Sequence, residues 1–166
     1  MSRITIEKAE TPVQRAAFLQ VLESANRRME KKGIVQWLPC HLTEEAVFEE
    51  NVEPFLLTKD GQPAVTALLV TEDPVFWPEK EKGSAVYIHR FSVAEEFAGT
   101  GLPQKMMSFA VEYAKQRGIP FLRLDCRADR TKLRAVYEAF GFHFVDTVEV
   151  DVPGVHLCNS RYEYRV

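Results

Sequence analysis

Between residues 85 and 126 the chain runs strand, glycine turn, helix, strand, and this stretch does most to limit the fold. AVYIHRFSV reads as a strand, Ala98-Gly99-Thr100-Gly101-Leu102-Pro103 as a tight turn, and roughly residues 103–117 as a helix. On that helix Met106, Phe109, Ala110, Tyr113 and Ala114 share an apolar face, with Gln104, Lys105, Glu112 and Lys115 opposite, and Gly118 ends it. PFLRLDC follows as a buried strand. Two strands joined through a helix make a crossover connection, so hairpins alone cannot build this sheet.

The remaining elements are hairpin-like. Ile4 and Ile6 alternate with polar neighbours, as in a half-buried strand. Thr11-Pro12 opens a helix whose apolar residues Ala17, Phe18, Val21, Leu22 and Ala25 recur at helical spacing until Lys32-Gly33. A short second helix is expected after Thr43, with Glu44 and Glu45 where the helix dipole favours negative charge. PFLLTKD and PAVTALLVTED, separated by Gly61-Gln62, read as a hairpin. TKLRAVYEAF reads as an amphipathic helix, and FHFVDTVEV and VHLCNSRYEYRV as two last strands. The order β-α-α-β-β-β-α-β-α-β-β predicts an α+β fold: a mixed, mostly antiparallel sheet of six to seven strands flanked by about four helices. With no internal repeat or linker, residues 1–166 read as one domain.

Charge and cysteines narrow the function classes. Lys and Arg number 21 against 24 Asp and Glu, a net −3, so no basic surface invites nucleic acid or an anionic membrane. Cys40, Cys126 and Cys158 are an odd, widely spaced set without metal-ligand spacing, so neither a disulfide framework nor a bound metal is expected. No signal-like or membrane-length apolar run is present, and reduced thiols fit the cytoplasm.

The glycine turn is the candidate ligand site. Glycines let backbone approach a ligand closely, and the free N–H groups of a first helical turn hold phosphate well. The plain alternative is a tight turn and nothing more. A Walker loop is excluded because Leu102-Pro103 stands where Lys-Ser/Thr is needed, and a dinucleotide fingerprint lacks its third glycine.

VYIHRFSVAEEFAGTGLPQKMMSFAVEYAKQRGIPFLRLDC resembles the acetyl-CoA-binding segment of the GNAT superfamily of N-acetyltransferases, and LRAVYEAFGF resembles the segment that completes it. Together they cover residues 86–142, and the element order extends the likeness over nearly the whole chain. The resemblance implies the acyl-CoA N-acyltransferase fold, with acetyl-CoA as cosubstrate and no metal. It implies that the strand before the turn splays from its neighbour, so that backbone near Phe91 and Val93 faces the acetyl carbonyl and pantetheine. The backbone from Gly99 through Gln104 (Gly99, Thr100, Gly101, Leu102, Pro103 and Gln104), with Ala98 before it, would cradle the pyrophosphate. Tyr137 matches the position that protonates the departing CoA thiolate, a role sound for a hydroxyl within hydrogen-bond reach of a leaving sulfur. Its competing reading is core, because Leu133, Val136, Tyr137 and Phe140 share a helical face.

An ammonium acceptor must lose a proton before attack. His89 titrates in the right range and is the candidate base, against the alternative of a sheet histidine with satisfied hydrogen bonds. Glu95 and Glu96 read as solvated, and Asp125 as a residue that caps or orients a neighbour. The chain departs from the family at Ala98, where Arg or Gln is usual, at Pro103, where Gly or Ala is usual, and at Arg130, which replaces an Asn. Pro103 removes an amide and Ala98 a side-chain donor. One lost charge-assisted bond costs about 1.5–3 kcal/mol, roughly ten- to a hundred-fold in affinity. Arg130, Lys132 and Arg134 either offset this by holding CoA phosphates or form a solvated basic face.

The expected function is therefore transfer of an acetyl group to a primary amine of a small molecule or peptide, by direct attack. The alternative is a CoA-binding or regulatory module of the same fold with little or no catalysis. Gln36-Trp37 and Phe76-Trp77 either meet the acceptor or close the core. Family analogy adds a homodimer.

Overall fold

The computed structural model describes all residues from Met1 to Val166. Seven strands lie in the order β1-β2-β3-β4-β5-β7-β6. They are β1 (Ile4–Lys8), β2 (Glu53–Lys59), β3 (Gln62–Val70), β4 (Val86–Val93), β5 (Phe121–Arg127), β6 (His143–Val152) and β7 (Val155–Arg165). Four α-helices accompany them: α1 (Pro12–Lys31), α2 (Glu44–Val47), α3 (Leu102–Gln116) and α4 (Thr131–Phe140). The β1–β2, β2–β3, β5–β7 and β6–β7 pairs are antiparallel, and β4 runs parallel to β5 at Val86–Leu122 and Tyr87–Arg123. The mixed, mostly antiparallel sheet is the expected one, at its upper strand count.

Local sequence accounts for the boundaries. Thr11 caps α1 with a reciprocal pair, Gln14 N to Thr11 Oγ1 at 3.2 Å and Thr11 N to Gln14 Oε1 at 3.0 Å, with Pro12 inside the first turn. Thr43 caps α2 through Ala46 N at 3.2 Å. The β2–β3 hairpin turns on Asp60-Gly61 instead of Gly61-Gln62, because both central residues have positive φ, 52° and 81°. A two-residue turn of that kind matches strand twist, and it leaves Gln62 paired with Lys59 inside β3. Pro153-Gly154 closes the β6–β7 hairpin with Gly154 at φ 83°.

The chain forms two compact units, Met1–Leu69 with His89–Ser108, and Val70–Ile88 with Phe109–Val166. In the first, Ala9, Phe18, Leu22, Val47 and Leu68 make one buried cluster, with Trp37, Leu42 and Phe48 packed against it; Val21, Leu56 and Ala94 make another. Fully burying one such side chain stabilises by about 1.5–3 kcal/mol. In the second unit Trp77, Ala85 and Tyr87 pack with Val70, Phe76 and Phe121. Trp77 is thus core, as one of its two readings held. No helix is long and apolar enough to cross a membrane.

Candidate active site

The glycine turn lies in the first unit. Its two glycines adopt left-handed φ, 75° at Gly99 and 80° at Gly101, and a Cβ at either would meet nothing within 4 Å. The requirement for glycine there is conformational, not steric. A short 3₁₀ turn, Glu95–Phe97, leads in, and Thr100 Oγ1 donates to Phe97 O. α3 then starts at Leu102, which is buried, with Pro103 tolerated in its first turn and Gln104 exposed. Ala98 is half-buried at φ −62°, ψ 137°, so the turn offers backbone and open space in place of a side-chain donor. Ser24 Oγ accepts from Glu95 N at 3.0 Å and Lys31 Nζ donates to Glu95, which ties this loop to α1.

β4 carries an irregularity that the residue types do not announce. Arg90 sits mid-strand at φ 49°, the left-handed region, which costs a non-glycine residue about 1–2 kcal/mol. An extended ladder cannot run unbroken through such a residue, so the strand is re-aimed just before Phe91 and Val93. Thr66 Oγ1 donates to Arg90 O at 2.7 Å and holds the irregular peptide. The Arg90 guanidinium lies 5.2 Å from the Trp37 ring, and Trp37 is clamped by Asn26 through its N–H at 3.2 Å and its carbonyl at 3.3 Å. Burial pushes the Arg90 pKa down, opposed by the charge of Glu49. His89, Phe91 and Val93 are all half-buried.

Tyr137 lies in the second unit, on α4, and is 3% exposed. Its ring packs against Phe142 and Tyr162 at 5.9 and 6.1 Å. Gly141 ends α4 at φ 124°, and Gly141 N and Phe142 N both reach back to Tyr137 O, at 3.2 and 3.0 Å. A Cβ on Gly141 would stand 3.1 Å from the Tyr164 ring. The Gly-Phe pair after the helix therefore fixes Tyr137 from its backbone side. Burial raises the Tyr137 pKa well above its ordinary value, and the negative charge of Asp125 acts in the same direction. The hydroxyl is held protonated, the state a proton donor needs.

Cys126, one residue past Asp125 on β5, is pushed up to about 12, by burial first and by Asp125 second. It stays a thiol at neutral pH and is no nucleophile. Arg134 is turned to internal work: Nε donates to Tyr162 Oη at 2.9 Å and Nη1 to Ala128 O at 3.1 Å, while Tyr162 Oη donates to Glu138. Two of its nitrogens are thus committed within the unit. Arg130 is half-buried at the start of α4, and Lys132 is exposed.

Two features escaped the sequence reading. Asp73 is buried after β3, where its Oδ1 accepts from Val75 N and Phe76 N at 3.2 and 3.0 Å. An Asp followed by Pro is a turn signal that pointed to it. Arg161 is buried on β7, with Nε and Nη2 on Asp146 at 2.7 and 2.8 Å and Nη1 on Phe76 O and Glu79.

The acetyltransferase (GNAT) family model matches residues 18–142 of the chain, from α1 through the Gly-Phe pair after α4. The chain belongs to the GNAT family. An uncharacterised N-acetyltransferase, YesJ, of Bacillus subtilis (strain 168) is 30% identical over 117 residues, 65% of this chain and 61% of that protein. The match thus spans less than two thirds of that relative. Among solved structures, a GNAT acetyltransferase from Listeria monocytogenes superposes with TM-score 0.70 at 21% identity, covering 98% of this chain and 95% of that one. A GNAT acetyltransferase from Elizabethkingia anophelis with acetyl-CoA bound gives TM-score 0.62 at 15% identity, covering 98% of each chain. These likenesses show a GNAT fold with its seven-stranded mixed sheet and four helices.

Proposed function

We propose that this GNAT protein transfers the acetyl group of acetyl-CoA directly to a primary amine of a small molecule or peptide. The observation that carries the reading is the paired left-handed glycines, Gly99 and Gly101, opening onto the start of α3 with free space at both Cα atoms. Backbone of that shape turns amides toward an anion, and the helix dipole favours the pyrophosphate's charge. The fold neighbour that carries acetyl-CoA adds support for this cosubstrate.

In this reading the amine nitrogen attacks the thioester carbonyl carbon, and the tetrahedral intermediate collapses with loss of thiolate. Tyr137 gives the sulfur its proton. The irregular peptide at Arg90 aims the backbone near Phe91 and Val93 toward the acetyl group. Cys126, kept neutral by burial, supports direct attack over an acyl-enzyme at that residue. Ala98 leaves phosphate binding to backbone amides, so salt weakens acetyl-CoA binding less than where an Arg supplies the contact.

The test has two steps. Acetyl-CoA at a millimolar concentration raises the thermal midpoint, since it binds only folded protein. With an amine panel present, CoA is released at a rate that needs both acetyl-CoA and amine, and Tyr137→Phe lowers kcat on the order of a hundred-fold. Stabilisation without turnover across the panel would favour the CoA-binding module. No stabilisation would remove acetyl-CoA from the account.

A further inference from the structure

The Arg90 side chain is not accounted for by the fold. Its Nη1 is buried with no hydrogen-bond partner, although a guanidinium is a cation at any ordinary pH. Burial disfavours that charge, and what opposes the burial comes through space from Glu49, an exposed residue. Arg15 makes the contrast within the same unit. Its guanidinium also lies over a ring, 4.9 Å from Phe48, and its Nε is likewise buried without a partner, but Glu44 Oε1 stands 3.7 Å from its Nη1. The charge of Arg15 is met by a carboxylate of the chain.

The surroundings of Arg90 are held in advance of any ligand. Trp37, the ring beneath the guanidinium, is pinned by Asn26 through both its N–H and its carbonyl, and Asn26 is itself 8% exposed. Trp37 also packs on the cluster of Ala9, Phe18 and Leu22. The backbone of Arg90 is fixed at φ 49° with Thr66 on its carbonyl. Strain of this kind persists where the structure around it over-determines it, and ligand clamps are a common place for it. An aromatic face holds a guanidinium without using its donors, so the fork stays open to a planar anion.

A carboxylate matches that fork in shape and in charge, with two oxygens for two parallel N–H bonds and one negative charge for one positive. A phosphate dianion would bring a surplus negative charge into a place that already feels Glu49. Arg90 is followed directly on β4 by Phe91 and, two residues on, by Val93, the backbone proposed to face the acetyl group. All these residues belong to the first unit. An acceptor anchored at Arg90 is therefore held beside the reacting end of the cosubstrate.

We infer that Arg90, over Trp37, binds a carboxylate of the acceptor, so that the acceptor is a small amino carboxylate acetylated at its amine. This names the substrate class and rests on the acetyl-transfer reading. The carboxylate is held and not altered. R–NH3+ and acetyl-CoA give the N-acetyl product, the CoA thiol and one proton released to solvent, with a C–N bond formed where a C–S bond breaks. An anchor remote from the reacting nitrogen binds ground state and transition state alike, so its loss is read mostly in KM.

The test compares acceptors matched in length, β-alanine with ethylamine and γ-aminobutyrate with propylamine. In the wild type kcat/KM for each amino carboxylate exceeds that of its matched amine by about tenfold or more, mostly through KM. Arg90→Gln removes most of that ratio, and Arg90→Lys, which keeps the charge without the fork, restores part of it. Cooperative thermal unfolding shows both variants folded. Apart from turnover, sodium butyrate titrated into the full chain by calorimetry binds the wild type, and binds Arg90→Gln about tenfold more weakly or worse. Wild-type protein that binds no butyrate, or a ratio that Arg90→Gln leaves standing, would overturn the anchor and leave Arg90 as a support for Trp37. Inorganic phosphate that needs Arg90 and binds more tightly than butyrate would overturn the carboxylate in favour of a phosphorylated acceptor. Butyrate binding that needs Arg90, with no acceptor of either kind turned over, would uphold the carboxylate site and sink the acetyl-transfer reading instead.

Discussion

The two units bury different chemistry. The first encloses Phe18, Val21, Leu22, Val47, Leu57 and Leu69, and its buried polar residues are only Asn26, Thr66 and Ser92. The second buries Asp73, Arg123, Asn159, Ser160 and Arg161 among its aromatic rings. Arg123 binds Glu163, Ser84 and the Tyr87 hydroxyl at 2.7, 2.9 and 2.9 Å, and the Arg161 guanidinium lies 4.4 Å from the Trp77 ring. In the first unit the candidate functional groups are mostly backbone, the left-handed glycines and the re-aimed peptide at Arg90, with the His89 side chain just before it. In the second it is a side chain, Tyr137, set among aromatic rings, one of which, Tyr162, is held by Arg134 and Glu138. A backbone site needs a dry, well-packed support, whereas a side-chain site needs its buried polar groups satisfied one by one.

Removing an apolar support should be the most costly change and should be indifferent to pH. Phe18→Ala in the first unit is expected to cost about 4 kcal/mol, because Phe18 is fully buried and rings Phe48 edge-on at 5.2 Å. Thermal denaturation between pH 4 and 8 reads this as a lowered midpoint with a constant gap to wild type. A gap that changes with pH would show that charge enters the first core as well.

Arg161→Met is the matching change in the second unit. Breaking a buried pair from one side costs about 3 kcal/mol, the low end of the usual range because Glu79 and Asp146 remain half-exposed. Here the gap depends on pH. The hydrogen bonds from Arg161 hold the Asp146 carboxyl below its ordinary pKa. Its contribution is therefore complete above the ordinary carboxylate range and is lost as pH falls through the lowered value. The wild type loses that part on acidification and the variant has none to lose, so the two midpoints converge at acid pH. Parallel curves would mean that Arg161 acts by packing on Trp77 alone.

The same contrast decides what could be read from the chain. Elements set by punctuation were legible: the Thr11-Pro12 start, the Thr43 cap, and α4 from Thr131 to Phe140. So was the glycine turn, because only glycine takes those φ values at little cost. The β2–β3 turn was misplaced by one residue because Asp60, a residue that tolerates positive φ, shares the turn with Gly61. Arg90 was not legible, since nothing in an arginine announces left-handed backbone. Asp125 was noticed without its partner Asn159, whose Nδ2 donates to Asp125 Oδ2 from 34 residues further along the chain, a contact that only the fold makes.

Gly99→Ala sharpens the backbone side of the comparison at smaller cost. A Cβ there has room, so the penalty is the left-handed φ alone, about 1 kcal/mol, and the thermal midpoint falls by only a few degrees. Acetyl-CoA affinity should fall further than stability, because a turn that relaxes its φ no longer aims its amides. Titration of acetyl-CoA into the variant reads this directly. Equal loss of stability and affinity would mean that the glycines serve the turn and not a phosphate.

The smallest effect is expected at the exposed end of the second unit. His156 Nδ1 sits 2.6 Å from Asp151 Oδ1, and Nε2 sits 3.3 Å from Glu149 Oε1, across the β6–β7 hairpin. The hydrogen bond with Asp151, and then that with Glu149, raises the His156 pKa. A raised value means that its contribution is complete below the ordinary histidine range and fades as pH rises through the folded value. The three side chains are more than half exposed, so water and salt screen the pairs, and Asp151→Asn should barely move the thermal midpoint. The proton resonances of His156 should nevertheless titrate at a higher pH in the wild type than in the variant. That combination, a clear shift in titration with almost no change in stability, separates an exposed charge pair from Arg161, where the same kind of contact is buried and the fold depends on it. A midpoint that drops below pH 6 in Asp151→Asn by as much as in Arg161→Met would mean that burial is not what distinguishes them.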